Sequence, residues 1–138
     1  MIIVSACLAG ENCRYDGSNK LNKYIQKLVE EGDAISLCPE QLGGLPTPRI
    51  ASEQKGGRVF NKNGEDVTEY FVKGAEEVLR IANLHNCKDA VLKSKSPSCG
   101  CGQIYDGFFS GKLIKGDGIT TALLKKNKIE IYTEEDYK

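Results

Sequence analysis

Ile2-Ile3-Val4-Ser5-Ala6-Cys7 is a short apolar run that ends in small residues and a thiol. So brief and continuous a run reads as a buried strand of a parallel sheet. Outward from it, Leu21, Tyr24, Ile25, Leu28 and Val29 recur at helical spacing until Gly32 supplies a C-cap. A second run, Ala34 to Leu37, stops at Cys38-Pro39, where proline cannot donate to a sheet ladder. Gly43 to Gly57 carries Pro46 and Pro48 without periodicity and predicts a long ordered loop, a kind that is usually functional. Asn63-Gly64 predicts a small hairpin with a type I′ turn. Asp66 followed by Glu69 is a capping-box signature for a helix with Val67, Phe71, Val78, Leu79 and Ala82 on one face. Ala90 to Leu92 predicts a third strand and Lys93 to Gly102 a loop. Asp117 and Thr120 can cap a helix through Leu124, and Ile129 and Ile131 alternate as a last strand.

Strands alternating with helices predict an α/β chain, a single domain over residues 1–138. Its architecture should be a three-layer α/β/α Rossmann-like fold with a short, mainly parallel sheet of about four strands and right-handed crossovers. Sites in such folds lie beyond the carboxyl ends of the strands. Cys7 follows the first strand, Cys38 the second, and Cys99 lies in the loop after the third. The topology therefore brings three thiols, distant in sequence, to one edge of the sheet.

At 138 residues, 40% hydrophobic and 28% charged, the chain can bury a real core. Lys plus Arg and Asp plus Glu balance at 19 each, which argues against a long nucleic acid as primary ligand. The opening apolar run turns polar by Glu11, too short for a signal peptide or a membrane span, so a cytoplasmic protein with no membrane partner is expected. Six cysteines are more than a reducing compartment needs for packing. Metal ligation or thiol chemistry is the leading explanation.

A lone cysteine is more often a small buried hydrophobe, and Cys87, beside a helix end, reads that way. Cys13 and Cys101 each lie near a proposed ligand and could be a further thiol of the site, a redox partner or a substrate-binding group. No Cys-x-x-Cys pair occurs, and His85, the only histidine, sits near a helix C-terminus as a solvated cap. Three thiolates on strand-end loops suit a cubane iron–sulfur cluster with one iron free of protein ligands. Zinc held by three thiolates and a water is the alternative on chemistry alone. Two further alternatives stand: a metal-free redox or sulfur-carrier protein acting through Cys99 and Cys101, and a non-catalytic small-molecule binding module.

The segments Val4-Ser5-Ala6-Cys7-Leu8-Ala9-Gly10 with Cys13-Arg14-Tyr15-Asp16-Gly17, Cys38-Pro39-Glu40 with Gly43-Gly44-Leu45-Pro46-Thr47-Pro48-Arg49, and Leu92-Lys93 with Ser96-Pro97-Ser98-Cys99-Gly100 closely resemble the domain-of-unknown-function 523 family, which includes the thiouracil desulfurases. The resemblance implies a 4Fe-4S cluster on Cys7, Cys38 and Cys99, with the open iron taking the sulfur of a small thiolated pyrimidine such as 2-thiouracil. Preparation in air is expected to strip such a cluster. Water attacking the thiocarbonyl needs a base, and Glu40, two residues beyond Cys38, is the best-placed carboxylate, unless it caps a turn or pairs with Arg49. Ser96 and Ser98 flank Pro97 beside Cys99, one as a candidate proton relay or ring contact and the other to close the turn. Arg49 and Lys95, with Arg14 and Lys93, are candidate substrate or cluster contacts, and Asp16 could orient one of them. The plain alternative for each is a solvated loop charge.

Overall fold

The computed structural model describes residues 1–137. β1 (Ile2–Ser5) pairs in parallel with β2 (Ala34–Leu37) on one side and β5 (Asp89–Leu92) on the other, and β8 (Glu130–Thr133) adds in parallel to β5. The sheet thus has four strands in the order β2-β1-β5-β8, as the apolar runs predict. Period-two alternation sends neighbouring residues of β1 to opposite faces. Ile3 packs with Ala90 and Leu92 against Val78 and Ala82 of α3 (Thr68–Leu84) and Leu124 of α4 (Ile119–Lys126). Val4 packs with Val91 against Ile25 of α1 (Lys23–Glu30). Helices therefore cover both faces, giving the expected α/β/α layers. The connection through α1 leads from β1 to β2, whereas the chain reaches β5 on the opposite side of β1, so the strand order switches there. Among the described residues, no helix is long and apolar enough to cross a membrane.

Several local expectations need correction. Gly43 to Gly57 is not all loop: a four-residue helix, α2 (Pro39–Leu42), immediately precedes it, and it contains a strand, β3 (Ser52–Lys55), paired antiparallel with β4 (Arg58–Asn61). That hairpin turns at Gly56-Gly57, whose φ values of 61° and 79° suit a type I′ turn. At Asn63-Gly64 only the glycine has positive φ, and the turn closes a single Phe60–Asp66 bridge. The capping box is replaced: Val67 is the N-cap of α3, and Asp66 accepts from the Thr68 amide at 2.9 Å. Gly118, not Asp117 or Thr120, caps α4. Leu21 and Tyr24 are exposed, and only Ile25 of α1 is fully buried, because Asn22 caps the helix by accepting from the amides of Tyr24 and Ile25. A hairpin of β6 (Gln103–Tyr105) and β7 (Leu113–Lys115) follows the Cys99 loop and was not legible.

The short helix α2 sits against α3 with almost no space between backbones. A Cβ built on Gly74 would lie 1.9 Å from the Pro39 carbonyl oxygen, and one on Gly43 equally close to that of Tyr70. An alanine in a helix interior is ordinarily worth up to about 1 kcal/mol over glycine. At Gly74 the sign should reverse, with Gly74→Ala losing roughly 1–3 kcal/mol in chemical denaturation through overpacking. A neutral or stabilised variant would show that α2 does not depend on this contact.

Candidate active site

The carboxyl ends of β1, β2 and β5 open into a cavity of about 450 Å³ lined by Cys7, Cys13, Cys38 and Cys99 together with Glu40, Arg49, Lys95 and Ser96. Cys7 belongs to the 3₁₀ turn Ala6–Ala9 that continues β1, and Cys38 is the N-cap of α2, where Pro39 at the first helical position needs no hydrogen bond. Cys99 is buried in the loop after β5. Ser5, the last residue of β1, accepts from the Lys93 amide at 2.9 Å and donates to the Cys99 sulfur at 3.4 Å, tying β1, β5 and the thiol together.

Cys13, ambiguous by sequence, lies in the cavity wall; the Cys38 thiol donates to its carbonyl oxygen at 3.7 Å. Cys101 does not line the cavity, and Cys87 is packed in the core beside Val78 and Ala82. His85 is the C-cap of α3.

The polar residues divide more sharply. The Ser96 hydroxyl accepts from the amides of Ser98 at 3.0 Å and Cys99 at 2.8 Å, so its lone pairs shape the loop and its proton is free to point elsewhere. Ser98 is fully buried, lies 2.8 Å from the Thr120 hydroxyl of α4 and does not line the cavity, so the geometry gives it a packing contact instead of a place among the catalytic candidates. Arg49, whose side chain is 5% exposed, pairs through Nε with Glu40 at 3.2 Å. Its other nitrogens donate to the carbonyl oxygens of Cys13 (2.9 Å) and Pro46 (3.2 Å) and to the Thr47 hydroxyl (2.9 Å). This guanidinium is occupied by the protein, which argues against a substrate contact and for the pairing with Glu40. Asp16 is exposed, outside the cavity, and holds the amide and hydroxyl of Ser18, which keep its carboxyl below the usual carboxylate range. Its link to the cavity is indirect, since the Ser18 hydroxyl it holds accepts from Arg14, a lining residue, at 3.2 Å. Lys93 pairs with Glu134 at 2.9 Å. Sequence reasoning missed Ser5 and the aromatic wall of Tyr105 and Phe109, which the β6–β7 hairpin brings to the cavity.

Among the described residues no three Cys, His, Asp or Glu side chains close on a point as a single metal ion would require. A cubane cluster takes its thiolates on separate irons and so suits thiols spread around a cavity. The donors are soft sulfurs with no imidazole in the lining, as iron–sulfur clusters prefer. In the metal-free protein Cys13, Cys38 and Cys99 hold their protons more tightly than an ordinary thiol. A hydrogen bond with Cys38 lowers the Cys13 value, but one with Cys7, burial and the Cys7 charge outweigh it, leaving about 12. The hydrogen bond with Cys13 and burial push Cys38 well above the ordinary thiol range. Loading a metal must displace these protons.

The family model described as 2-thiouracil desulfurase matches residues 2–136. An uncharacterized protein of Bacillus subtilis (strain 168), YbbK, is 44% identical over 146 residues, covering 99% of this chain and 97% of its own. A solved structure of TudS, a 4Fe-4S-dependent thiouracil desulfidase, is 45% identical and matches with a TM-score of 0.93, covering 98% of this chain and 91% of that one.

Burial pushes the Cys99 thiol from 9.0 up to about 12, against the opposing pull of the Ser5 hydroxyl. Above pH 9.0 an unfolded chain releases this proton while the folded, metal-free protein retains it. The thiol's contribution to stability is therefore fully present below that pH and is lost as pH rises toward about 12. In urea unfolding of metal-free protein, the advantage of wild type over Cys99→Ala should shrink by up to about 1.4 kcal/mol per pH unit in this window. A difference independent of pH would contradict the burial of this thiol.

Proposed function

Because the chain belongs to the 2-thiouracil desulfurase family, whose model matches residues 2–136, we propose that residues 1–138 form a single cytoplasmic enzyme domain that removes the sulfur of a thiolated pyrimidine, 2-thiouracil or a related nucleobase or nucleoside. Water replaces the sulfur: the thiocarbonyl becomes a carbonyl and sulfide departs. The observation that carries this reading is the sharing of one cavity by thiols from three strand-end loops, a carboxylate and a free hydroxyl donor.

Cys7, Cys38 and Cys99 would hold a 4Fe-4S cluster, leaving one iron without a protein ligand. When bound, the cluster would supply Lewis acidity toward the thiocarbonyl sulfur. Glu40 is the general base that takes a proton from the attacking water. Arg49 fixes its carboxylate through Oε1, leaving the second oxygen for water. Ser96, with both lone pairs committed to backbone amides, acts as a donor and steadies negative charge developing on the ring. Lys95 lines the same cavity and contacts the pyrimidine carbonyl.

Anaerobically reconstituted protein should bind about four irons. Cys7→Ala, Cys38→Ala and Cys99→Ala should each lose the cluster absorbance that Cys87→Ala retains; equal retention in all four would refute the ligand assignment.

Glu40→Gln should remain coloured and folded, and its single-turnover sulfide release from 2-thiouracil should fall by a factor of about 10² to 10⁴ per cluster. Ser96→Ala should lose turnover, whereas Ser98→Ala should lose stability through Thr120 and keep more of its turnover per cluster. If wild-type protein with a full cluster releases no sulfide from thiouracils, thiouridines or their nucleotides, the desulfurase reading fails.

A further inference from the structure

Four non-glycine residues among the described ones have positive φ: Asn86 (53°), Lys95 (68°), Phe109 (54°) and Lys128 (65°). Asn86 and Lys128 each stand one residue past the C-cap of α3 and α4, where a left-handed residue is an ordinary way to end a helix. Lys95 and Phe109 end no helix, and both line the cavity that holds the thiols. For a bulky aromatic residue this backbone conformation is an outlier, and it persists only where its surroundings enforce it.

The enforcement at Phe109 is visible. One oxygen of Glu53, on β3, accepts from the amides of both Gly107 at 3.0 Å and Phe109 at 3.1 Å. β3 is itself bound to the thiol-bearing loop, because the Gln54 side chain donates to the carbonyl oxygens of Pro97 at 2.9 Å and Asp117 at 2.8 Å. A carboxylate that could have served the site as an acid is instead spent on posing a phenyl ring in the cavity wall. Strain of this kind at a ligand-facing residue is the signature of a clamp. A phenyl ring offers no hydrogen bond, only a flat apolar face, and its natural complement is the face of a planar ring.

We propose that Phe109, pinned by Glu53, is the stacking surface that positions the flat ring of the substrate, making it a specificity-determining residue for planar heteroaromatic thiones over acyclic ones. The inference rests on the desulfurase reading and adds a cause for ring selectivity. Thiourea separates the two ideas, since it presents the same N–C(=S)–N group as 2-thiouracil without a ring to stack.

The test compares cluster-loaded wild type with Phe109→Leu, Phe109→Tyr and Phe109→Gly, using sulfide release from 2-thiouracil and thiourea, and calorimetric binding of uracil, which requires no turnover. Phe109→Leu should raise KM for 2-thiouracil about tenfold to a hundredfold, the range of a stacked base, with a much smaller change in kcat. Uracil affinity should fall by a similar factor, thiourea turnover should change far less, and Phe109→Tyr should recover most of the loss. Glu53→Gln, which keeps an acceptor oxygen, should be milder than Glu53→Ala. Phe109→Gly should unfold at a higher temperature than Phe109→Leu, because glycine takes positive φ without strain; the reverse order would overturn the proposal. So would a Phe109→Leu enzyme with wild-type KM and uracil affinity, or one in which 2-thiouracil and thiourea decline together. Should wild type release no sulfide from any thione yet bind uracil in a Phe109-dependent way, the desulfurase reading falls and the stacking surface stands.

Discussion

Adjacent strands in a sheet lie about 4.8 Å apart, and this spacing decides where the thiols can be. β1 is hydrogen-bonded to both β2 and β5, so the segments that leave these three strands, bearing Cys7, Cys38 and Cys99, must converge beyond their carboxyl ends. The register is guarded by the core. Ile3 faces α3 and α4 while Val4 faces α1, and a slip of one residue would exchange them between two cores built for different neighbours. Packing far from any chemistry thus sets the separation of the sulfurs. The Ser5 hydroxyl transmits that order to the site, since it holds the start of the Cys99 loop and the Cys99 sulfur from the last residue of β1.

Arg49 performs the corresponding service for the loops that the sheet does not reach. A guanidinium buried this deeply is costly unless its donors are met, and here they meet a carboxylate, a hydroxyl and two backbone carbonyls. Those acceptors belong to the Cys13 loop, the turn after Cys38 and the Pro46–Thr47 segment, so one side chain couples three parts of the cavity wall. Removing it would leave Glu40 partly buried without its charge partner and the Cys13 carbonyl with only the Cys38 thiol as a donor. Loss of function at Arg49 would therefore not by itself identify a substrate contact.

The parallel sheet was legible because β1, β2 and β5 carry short apolar runs, the first two ending at a small residue or before a proline, while β8 shows alternation, and the convergence of Cys7, Cys38 and Cys99 followed from that topology. The two hairpins were not. Ser52-Glu53-Gln54-Lys55 contains no apolar residue, and its strand conformation comes from pairing with Arg58–Asn61, whose Val59 reaches a small cluster with Val67 and Phe71. Tertiary context decides such a segment, as it does the β6–β7 hairpin. Ser96 and Ser98 look alike beside Pro97; what separates them is Thr120, twenty-two residues beyond Ser98, whose hydroxyl takes up the second serine. Asp16 drew notice through its motif, yet its carboxylate is consumed locally by Ser18, a bond any short loop can form.

Strain follows the same division between scaffold and site. No residue of the four-stranded sheet adopts positive φ, and two of the left-handed non-glycine residues merely finish helices. The remaining two, Lys95 and Phe109, are braced by the hairpins: Lys95 forms a parallel bridge with Ile104 of β6, and Phe109 hangs on Glu53 of β3. Neither hairpin belongs to the central sheet. Their physical role is to hold cavity-lining residues in conformations that those residues would not choose in isolation, against a base whose stability comes from the sheet and its helices. Among the described residues the hairpins touch the Cys99 loop only through Gln54, Ile104 and their neighbours, so the strand ends that set the spacing of Cys7 and Cys38 take their order from the sheet, and the cavity wall opposite takes its order from the hairpins.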